Sequence, residues 1–191
     1  MSFEFRDLKI DKLAVIGSGQ IGPDIALHFA KVLHPHGVRI VVVDVVEEAL
    51  ERGRSKLHRK VDKGVETGAF SPEMAAAMKD SVEFTTDYGK AEGAQFAIEA
   101  ASENLDIKRK IFSQLEKLCA PGAVLASNSS HLQPEVIFEN LSDRSRSLVI
   151  HYFFPAERNP MVEIVPGKDT DRKLVHLLMS MYEHIGKIPI R

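Results

Sequence analysis

The sequence contains a single cysteine, Cys119, so it cannot form an intrachain disulfide. Cys119 lies at the end of a predicted helix over residues 106–119, where we interpret it as a small buried apolar residue rather than a catalytic thiol. No apolar run approaches the roughly 20 residues that a membrane helix needs. The N-terminal segment contains acidic residues and lacks the long apolar stretch of a signal peptide. These absences favour a cytoplasmic protein without a membrane partner.

Neither sign of charge is in excess. The 25 basic and 27 acidic residues give a formal net charge of −2, which offers no general attraction to nucleic acid. The hydrophobic fraction of 44% is ordinary for a globular protein, and 191 residues suffice for one sizeable domain. We expect a small-molecule substrate and no metal.

Short β-rich runs alternate with longer helical patterns along the chain. Strands are predicted over residues 13–16, 38–43, 82–85, 96–100, 124–127, 148–151 and 161–165, and residues 187–191 read as the start of another. Helices are predicted over residues 21–33, 47–63, 107–118 and 174–185, with a further helix capped by Ser71. This alternation predicts an α/β fold with a doubly wound, mainly parallel sheet.

A glycine-rich motif directly follows the first predicted strand and opens the first predicted helix. Its residues are Gly17, Ser18, Gly19, Gln20, Ile21 and Gly22. The first glycine permits a tight turn, the second lets the backbone approach a pyrophosphate, and the third allows close packing of helix on strand. Amide groups at the helix N-terminus then face the phosphates. The alternative is a glycine-rich turn that binds no ligand.

Asp44 ends the second predicted strand, 22 residues after the last glycine of the motif. A carboxylate there accepts hydrogen bonds from the adenosine ribose hydroxyls and repels the 2′-phosphate of NADP, so we predict NAD. Asp24 lies just inside the helix, where its charge would be unwelcome against a phosphate. We therefore expect its side chain to point away from the nucleotide.

His151 lies at the end of a predicted strand, where α/β sheets place their ligands, and is a candidate general base. Glu163 lies in the following apolar strand and needs a partner if it points inward. A pair with His151 would fix the orientation of the imidazole. The residues alone leave open an alternative in which Glu163 points to solvent from an edge strand.

The chain resembles the N-terminal NAD-binding domain of the L-3-hydroxyacyl-CoA dehydrogenase family from about residue 12 to residue 191. The resemblance rests on the glycine motif, Asp44, Glu103-Asn104-Leu105 with Lys108, Ala126-Ser127-Asn128-Ser129-Ser130, and His151 with Glu163. It implies a Rossmann-type domain spanning residues 1–191. The family has a helical second domain that completes the substrate cleft, and we expect the 191 residues to lack it.

The resemblance also assigns roles to individual residues. Glu103 and Lys108 would lie beside the nicotinamide end or ribose of the cofactor. Ser130 would hydrogen-bond the substrate hydroxyl or the cofactor, and its neighbour Ser129 is the second candidate. His151 would take the hydroxyl proton, and Glu163 would hold the resulting imidazolium.

One residue departs from the pattern of the family. The family has asparagine three residues after the histidine, where this chain has Phe154. Phenylalanine makes no side-chain hydrogen bond, so the departure bears on substrate choice, and Asn159 is a candidate substitute. We also expect the basic residues of helix 47–63 to be mostly solvated, with contact to CoA phosphates as the alternative.

The sequence therefore predicts NAD-dependent oxidation of a 3-hydroxyacyl-CoA to the 3-oxoacyl-CoA. One alternative is oxidation of a 3-hydroxy acid without CoA. The other is a domain that binds NAD and catalyses no reaction.

Overall fold

The computed structural model describes residues 2–191, which alternate strands and helices as the sequence predicts. The strands are β1 (Phe3–Phe5), β2 (Leu8–Ile10), β3 (Lys12–Ile16), β4 (Arg39–Val43), β5 (Val82–Thr85), β6 (Phe96–Glu99), β7 (Val124–Ser127), β8 (Ser147–Tyr152), β9 (Met161–Pro166) and β10 (Ile188–Ile190). The α-helices are α1 (Gly22–Leu33), α2 (Glu47–Glu66), α3 (Pro72–Asp80), α4 (Leu105–Leu118), α5 (Pro134–Ile137) and α6 (Arg172–His184). Within residues 2–191, no helix has both the length and the apolar character to cross a bilayer.

Eight strands form one sheet in the order β10-β9-β8-β7-β6-β3-β4-β5. The six strands from β8 to β5 are mutually parallel. Strand β9 runs antiparallel to β8, and β10 pairs parallel with β9. The arrangement confirms the predicted doubly wound, mainly parallel sheet.

Helices cover both faces of the sheet, and each face buries its own apolar cluster. On one face, Leu33 of α1, Leu57 of α2 and Leu178 of α6 belong to a common core. On the other face, Phe112 of α4 packs edge-on against Phe138, with ring centroids 4.6 Å apart. Burial on both sides explains why the central strands are almost continuously apolar.

Two predicted features of the helices are found at the expected residues. The Ser71 hydroxyl caps α3 by accepting the Met74 N–H at 3.1 Å. Cys119 is buried at the end of α4, and burial raises the pKa of its thiol to about 11. A thiol in that state is a poor nucleophile, as expected for a packing residue.

The structure differs from the sequence prediction mainly near the N-terminus and in one short helix. Strands β1 and β2 form an unpredicted antiparallel hairpin, turned at Arg6 with φ of +52°. Phe3 packs against the rings of His36 and His184, so contacts with distant residues support the hairpin. The sequence pattern also does not reveal helix α5, because its four residues are too few to show a helical period.

The parallel strands bring several chain segments together at one edge of the sheet. The Gly17 N–H donates to the Val43 carbonyl at 2.7 Å, and the Asn128 N–H donates to the Glu99 carbonyl at 2.7 Å. The residues that follow β3, β4, β6 and β7 therefore leave the sheet side by side. This carboxyl edge is where doubly wound folds bind their ligands.

His28 is buried on the inner side of α1. Its ring centroid lies 5.4 Å from that of Phe29 and 6.2 Å from that of Tyr152. Its Nε2 has no hydrogen-bond partner among the residues that the structure describes. Burial, and then the charges of Lys187 and Lys31, hold the pKa of His28 well below its ordinary value of 6.5, so the folded protein carries it neutral.

We predict that stability falls as the pH drops below about 6.5. The unfolded chain then takes up a proton at His28 that the folded protein does not, and this favours unfolding. Calorimetric melting between roughly pH 7.5 and 5 should show a smaller loss for His28→Leu than for the wild type. The control His176→Leu removes an exposed histidine and should retain the wild-type dependence. An unchanged dependence in His28→Leu would contradict the prediction.

Candidate active site

The three glycines of the loop at residues 17–22 have different surroundings. Gly17 has φ of +110°, and a Cβ built on it would lie 2.6 Å from the Ala100 carbonyl oxygen. A Cβ on Gly22 would lie 1.9 Å from the Gly17 carbonyl oxygen. A Cβ on Gly19 would meet no atom within 4 Å among the described residues. The fold thus requires the outer two glycines, whereas Gly19 faces open space.

The loop presents unused backbone donors at the start of α1. Within residues 2–191, no protein acceptor takes the N–H groups of Gly19, Gln20 or Ile21. Ile21 is the N-cap and provides no side-chain cap. Unsatisfied donors and the positive end of the helix dipole form a site for an anion. These residues fit the pyrophosphate of a dinucleotide.

Asp44 lies beside the same loop and is half-buried. One carboxylate oxygen accepts the Ser18 N–H at 2.7 Å, and the other accepts the Val46 N–H at 3.0 Å. Each oxygen keeps a second lone pair for another donor. The Ser18 hydroxyl is already used, since it donates to the Ala49 carbonyl at 3.0 Å.

Asp24 is engaged by helix α2, as expected for a side chain directed away from a phosphate. Its carboxylate lies 2.9 Å from Nζ of Lys56 and 2.8 Å from Nζ of Lys60, and its side chain is only 1% exposed. Lys63 pairs at the surface with Glu66. Some basic residues of α2 therefore pair with the buried carboxylate of Asp24, and others, such as Lys63, lie at the surface.

Glu103 and Lys108 are brought together at the start of α4. Lys108 is buried, and its Nζ lies 3.1 Å from Oε2 of Glu103. Burial alone would raise the pKa of Glu103, but hydrogen bonds from Ser129 and Lys108 outweigh it, so the pKa lies below the usual value. Glu103 is thus a carboxylate at neutral pH.

Glu99, at the carboxyl end of β6, is a site residue that the sequence analysis missed. Its side chain is fully buried. One oxygen accepts from Nζ of Lys108 at 2.7 Å and from the Ala101 N–H at 2.7 Å, and the other accepts from the Ser127 hydroxyl at 2.7 Å. A charged residue ending an apolar strand was the available signal, because such a group needs partners.

The adjacent residues Ser129 and Ser130 differ in whether their hydroxyl groups are free to bind a ligand. Ser129 is buried, its hydroxyl bonds Glu103, and its oxygen accepts the Leu132 N–H at 3.0 Å. Ser130 is exposed, and its hydroxyl has no hydrogen-bond partner among the described residues. The geometry leaves the Ser130 hydroxyl, but not that of Ser129, open to a ligand.

His151 and Glu163 face each other across the antiparallel pair β8–β9. Nδ1 of His151 lies 2.7 Å from Oε2 of Glu163, and the His151 side chain is 20% exposed. The structure therefore favours the paired arrangement over a solvent-directed glutamate. Because β8 is parallel to β3, this pair lies at the same sheet edge as the glycine loop.

Phe154 follows β8 and is 61% exposed. Its ring centroid lies 5.2 Å from Nζ of Lys56. It lines a cleft of about 490 Å³, together with Ser18, Gly19, Gln20, Arg52, Gly53 and Lys56. Asn159 is not among the described residues that line this cleft, and its side-chain oxygen accepts the Met161 N–H at 3.0 Å.

Comparison with known proteins gives consistent results. The model of the family "3-hydroxyacyl-CoA dehydrogenase, NAD binding domain" matches residues 12–191. The chain is 31% identical over 184 residues to 3-hydroxyadipyl-CoA dehydrogenase of Escherichia coli (strain K12), covering 96% of this chain and 38% of that protein. It is 32% identical over 181 residues to the peroxisomal fatty acid beta-oxidation multifunctional protein AIM1 of Arabidopsis thaliana, covering 95% of this chain and 24% of that protein.

Among solved structures, that of 3-hydroxybutyryl-CoA dehydrogenase from Escherichia coli K12 has a TM-score of 0.90 and 32% identity, and the match covers 96% of this chain and 38% of the other. The chain spans about a quarter to two fifths of the length of these relatives. The family match confirms the prediction of NAD as cofactor. This chain belongs to the NAD-binding domain of the 3-hydroxyacyl-CoA dehydrogenase family.

Proposed function

We propose that the protein oxidises the 3-hydroxyl group of a 3-hydroxyacyl-CoA to a ketone with NAD as oxidant. The observation that carries the proposal is the 2.7 Å contact between His151 and Glu163 at the sheet edge that also holds the glycine loop. Oxidation of a carbinol requires a base that takes the hydroxyl proton and a cofactor that takes the hydride. A histidine oriented by a carboxylate, beside a loop that binds a dinucleotide, meets both requirements.

His151 acts as the general base in this proposal. Glu163 accepts the hydrogen bond from Nδ1–H, which selects the tautomer with an unprotonated Nε2. Nε2 then accepts the proton of the substrate hydroxyl, and the carboxylate stabilises the imidazolium that forms. Bound NAD⁺ supplies the hydride acceptor.

Ser130 binds the substrate oxygen. Its exposed hydroxyl can donate to the 3-hydroxyl oxygen and hold it toward His151. Asp44 accepts from the ribose hydroxyls of the adenosine half and selects against a 2′-phosphate. Residues 1–191 act as one NAD-binding domain, and a second domain completes the substrate cleft.

Glu103 and Lys108 hold the ribose or nicotinamide end of the cofactor. The 38% exposure of the Glu103 side chain leaves it accessible, whereas Lys108 is 1% exposed and acts through the orientation of Glu103. The fully buried Glu99 fixes Lys108 in turn. Lys108 is therefore a positioning residue, and Glu103 is the group that contacts the cofactor.

Phe154 favours a second candidate reaction, the oxidation of a 3-hydroxy acid that carries no CoA. An exposed aromatic ring at the cleft offers apolar contact but no hydrogen bond, so it changes which substrate is preferred. A third candidate is NAD binding without turnover, because Phe154 stands where the family has asparagine and makes no side-chain hydrogen bond.

Replacing Gly22 and Gly19 one at a time distinguishes a glycine required for folding from a glycine required for nucleotide binding. Gly22→Ala places a methyl group 1.9 Å from a backbone oxygen, so we expect it to cost at least ~1–3 kcal/mol of unfolding free energy in denaturant titrations. Gly19→Ala places its methyl group within 4 Å of no atom of residues 2–191, so it should fold normally and bind NAD roughly tenfold more weakly in calorimetry. Wild-type NAD affinity in Gly19→Ala would count against the assigned phosphate site.

Replacing His151 tests the general base. We expect His151→Gln to lower the rate of NADH formation from 3-hydroxybutyryl-CoA by about 10²–10⁴-fold with NAD affinity retained. Glu163→Gln keeps the shape of the partner without its charge and should produce a smaller loss in the same assay. If His151→Gln retained the wild-type rate, the proposed mechanism would be wrong.

A substrate panel separates the candidate reactions. For the leading proposal, turnover of 3-hydroxybutyryl-CoA exceeds that of free 3-hydroxybutyrate, and Phe154→Asn shifts the ratio of kcat/KM values further toward the thioester. A higher kcat/KM for the free acid would establish the second candidate. Calorimetric binding of NAD without turnover of either substrate would establish the third.

A further inference from the structure

Asp24 places a negative charge in the first turn of the helix whose N-terminus would receive the negatively charged pyrophosphate of the cofactor. It lies in the first turn of α1, two residues after Gly22, and is 1% exposed. The same helix N-terminus presents the unused N–H groups that fit a pyrophosphate. Like charges close together at a partly buried site repel strongly, so an unneutralised Asp24 would weaken nucleotide binding.

Two lysines of α2 meet this charge. Lys56 and Lys60 are four residues apart and therefore lie on one face of the helix. Their ammonium groups lie 2.9 and 2.8 Å from separate oxygens of Asp24. Lys60 also lies 2.5 Å from Glu157, so part of its charge is shared with a second carboxylate. Lys56 has no other carboxylate partner among the described residues, and it is the main neutralising charge.

Lys56 also contacts the glycine loop directly. Its Nζ donates to the Gln20 carbonyl at 2.6 Å. Because carbonyl and N–H point in opposite directions across a trans peptide, this bond directs the Ile21 N–H away from Lys56. The ammonium therefore fixes the orientation of one of the three unused donors.

We propose that Lys56 is a positioning residue for the dinucleotide pyrophosphate. It neutralises Asp24 at the start of α1 and holds the peptide between Gln20 and Ile21 with its N–H available to the anion. This inference rests on the proposed nucleotide site at the glycine loop. It adds a residue of α2, which lies more than thirty positions after the glycine loop in the sequence, to the groups that determine NAD affinity.

Lys56 also connects the loop to the segment that follows His151. Its Nζ lies 5.2 Å from the ring centroid of Phe154, within the range of a cation–π contact. Glu157 in the same segment pairs with Lys60. The nucleotide loop and the segment after β8 are thus held by neighbouring side chains of one helix.

The test measures NAD affinity by calorimetry in variants of the whole chain. Lys56→Met keeps the aliphatic stem and removes the charge, and we expect Kd to rise about tenfold. Lys56→Arg keeps the charge and donors and should stay within about threefold of the wild type. The control Lys63→Met removes an exposed lysine of the same helix and should leave Kd unchanged.

A double variant distinguishes charge neutralisation from simple loss of packing. Asp24→Asn combined with Lys56→Met removes both charges of the pair and should return Kd to within about threefold of the wild type. A lysine that bound phosphate directly, or served only as packing, would leave the double variant as weak as Lys56→Met. That result would overturn the proposal, as would wild-type affinity in Lys56→Met.

Two further outcomes are decisive. If Lys56→Met does not fold, which thermal melting will show, the double variant and Lys56→Arg carry the same test, and weak NAD binding by either one overturns the inference. If the wild-type protein itself fails to bind NAD, the proposed nucleotide site fails. Unchanged Kd in Lys56→Met beside a binding wild type refutes only the role of Lys56.

Discussion

The turn from β3 into α1 is the constraint from which the arrangement of the site follows. Gly22 lies so close to the Gly17 carbonyl that no side chain fits between them, and a Cβ on Gly17 would also clash with the backbone at Ala100. This contact holds the start of α1 against the end of β3. The helix therefore presents its free N–H groups at the sheet edge, beside the residues that end the neighbouring parallel strands.

The same edge gathers carboxylates, and each of them is held by hydrogen-bond donors. Glu99 is fully buried against Lys108, and Glu163 is held against His151. A buried charge is tolerated only when it is paired and hydrogen-bonded, and removal of one partner is costly. The pairs therefore fix the directions of side chains more than they add stability. In this account Glu163 orients the base that removes a proton, and Glu99 anchors a group beside the cofactor.

The sequence predicts the sheet and the glycine loop well because both depend on local signals. Apolar β-branched runs identify the strands, and glycines at fixed spacing identify the turn. Contacts between segments that are distant in the chain are harder to predict from the sequence. The partners of Asp24 on α2 and the burial of Glu99 depend on how elements pack, and so does the antiparallel direction of β9. The sequence alone does not determine whether Glu163 pairs with His151, because the pairing depends on the register between β8 and β9.

The central claim is that the carboxyl edge of this sheet binds NAD and discriminates against NADP through Asp44. Calorimetric titration of the wild-type chain with each nucleotide tests it most directly. The account predicts saturable binding of NAD and binding of NADP at least about tenfold weaker, since the 2′-phosphate would meet a carboxylate already held in place by two backbone N–H groups. Equal affinity for both nucleotides, or binding of neither, would contradict it.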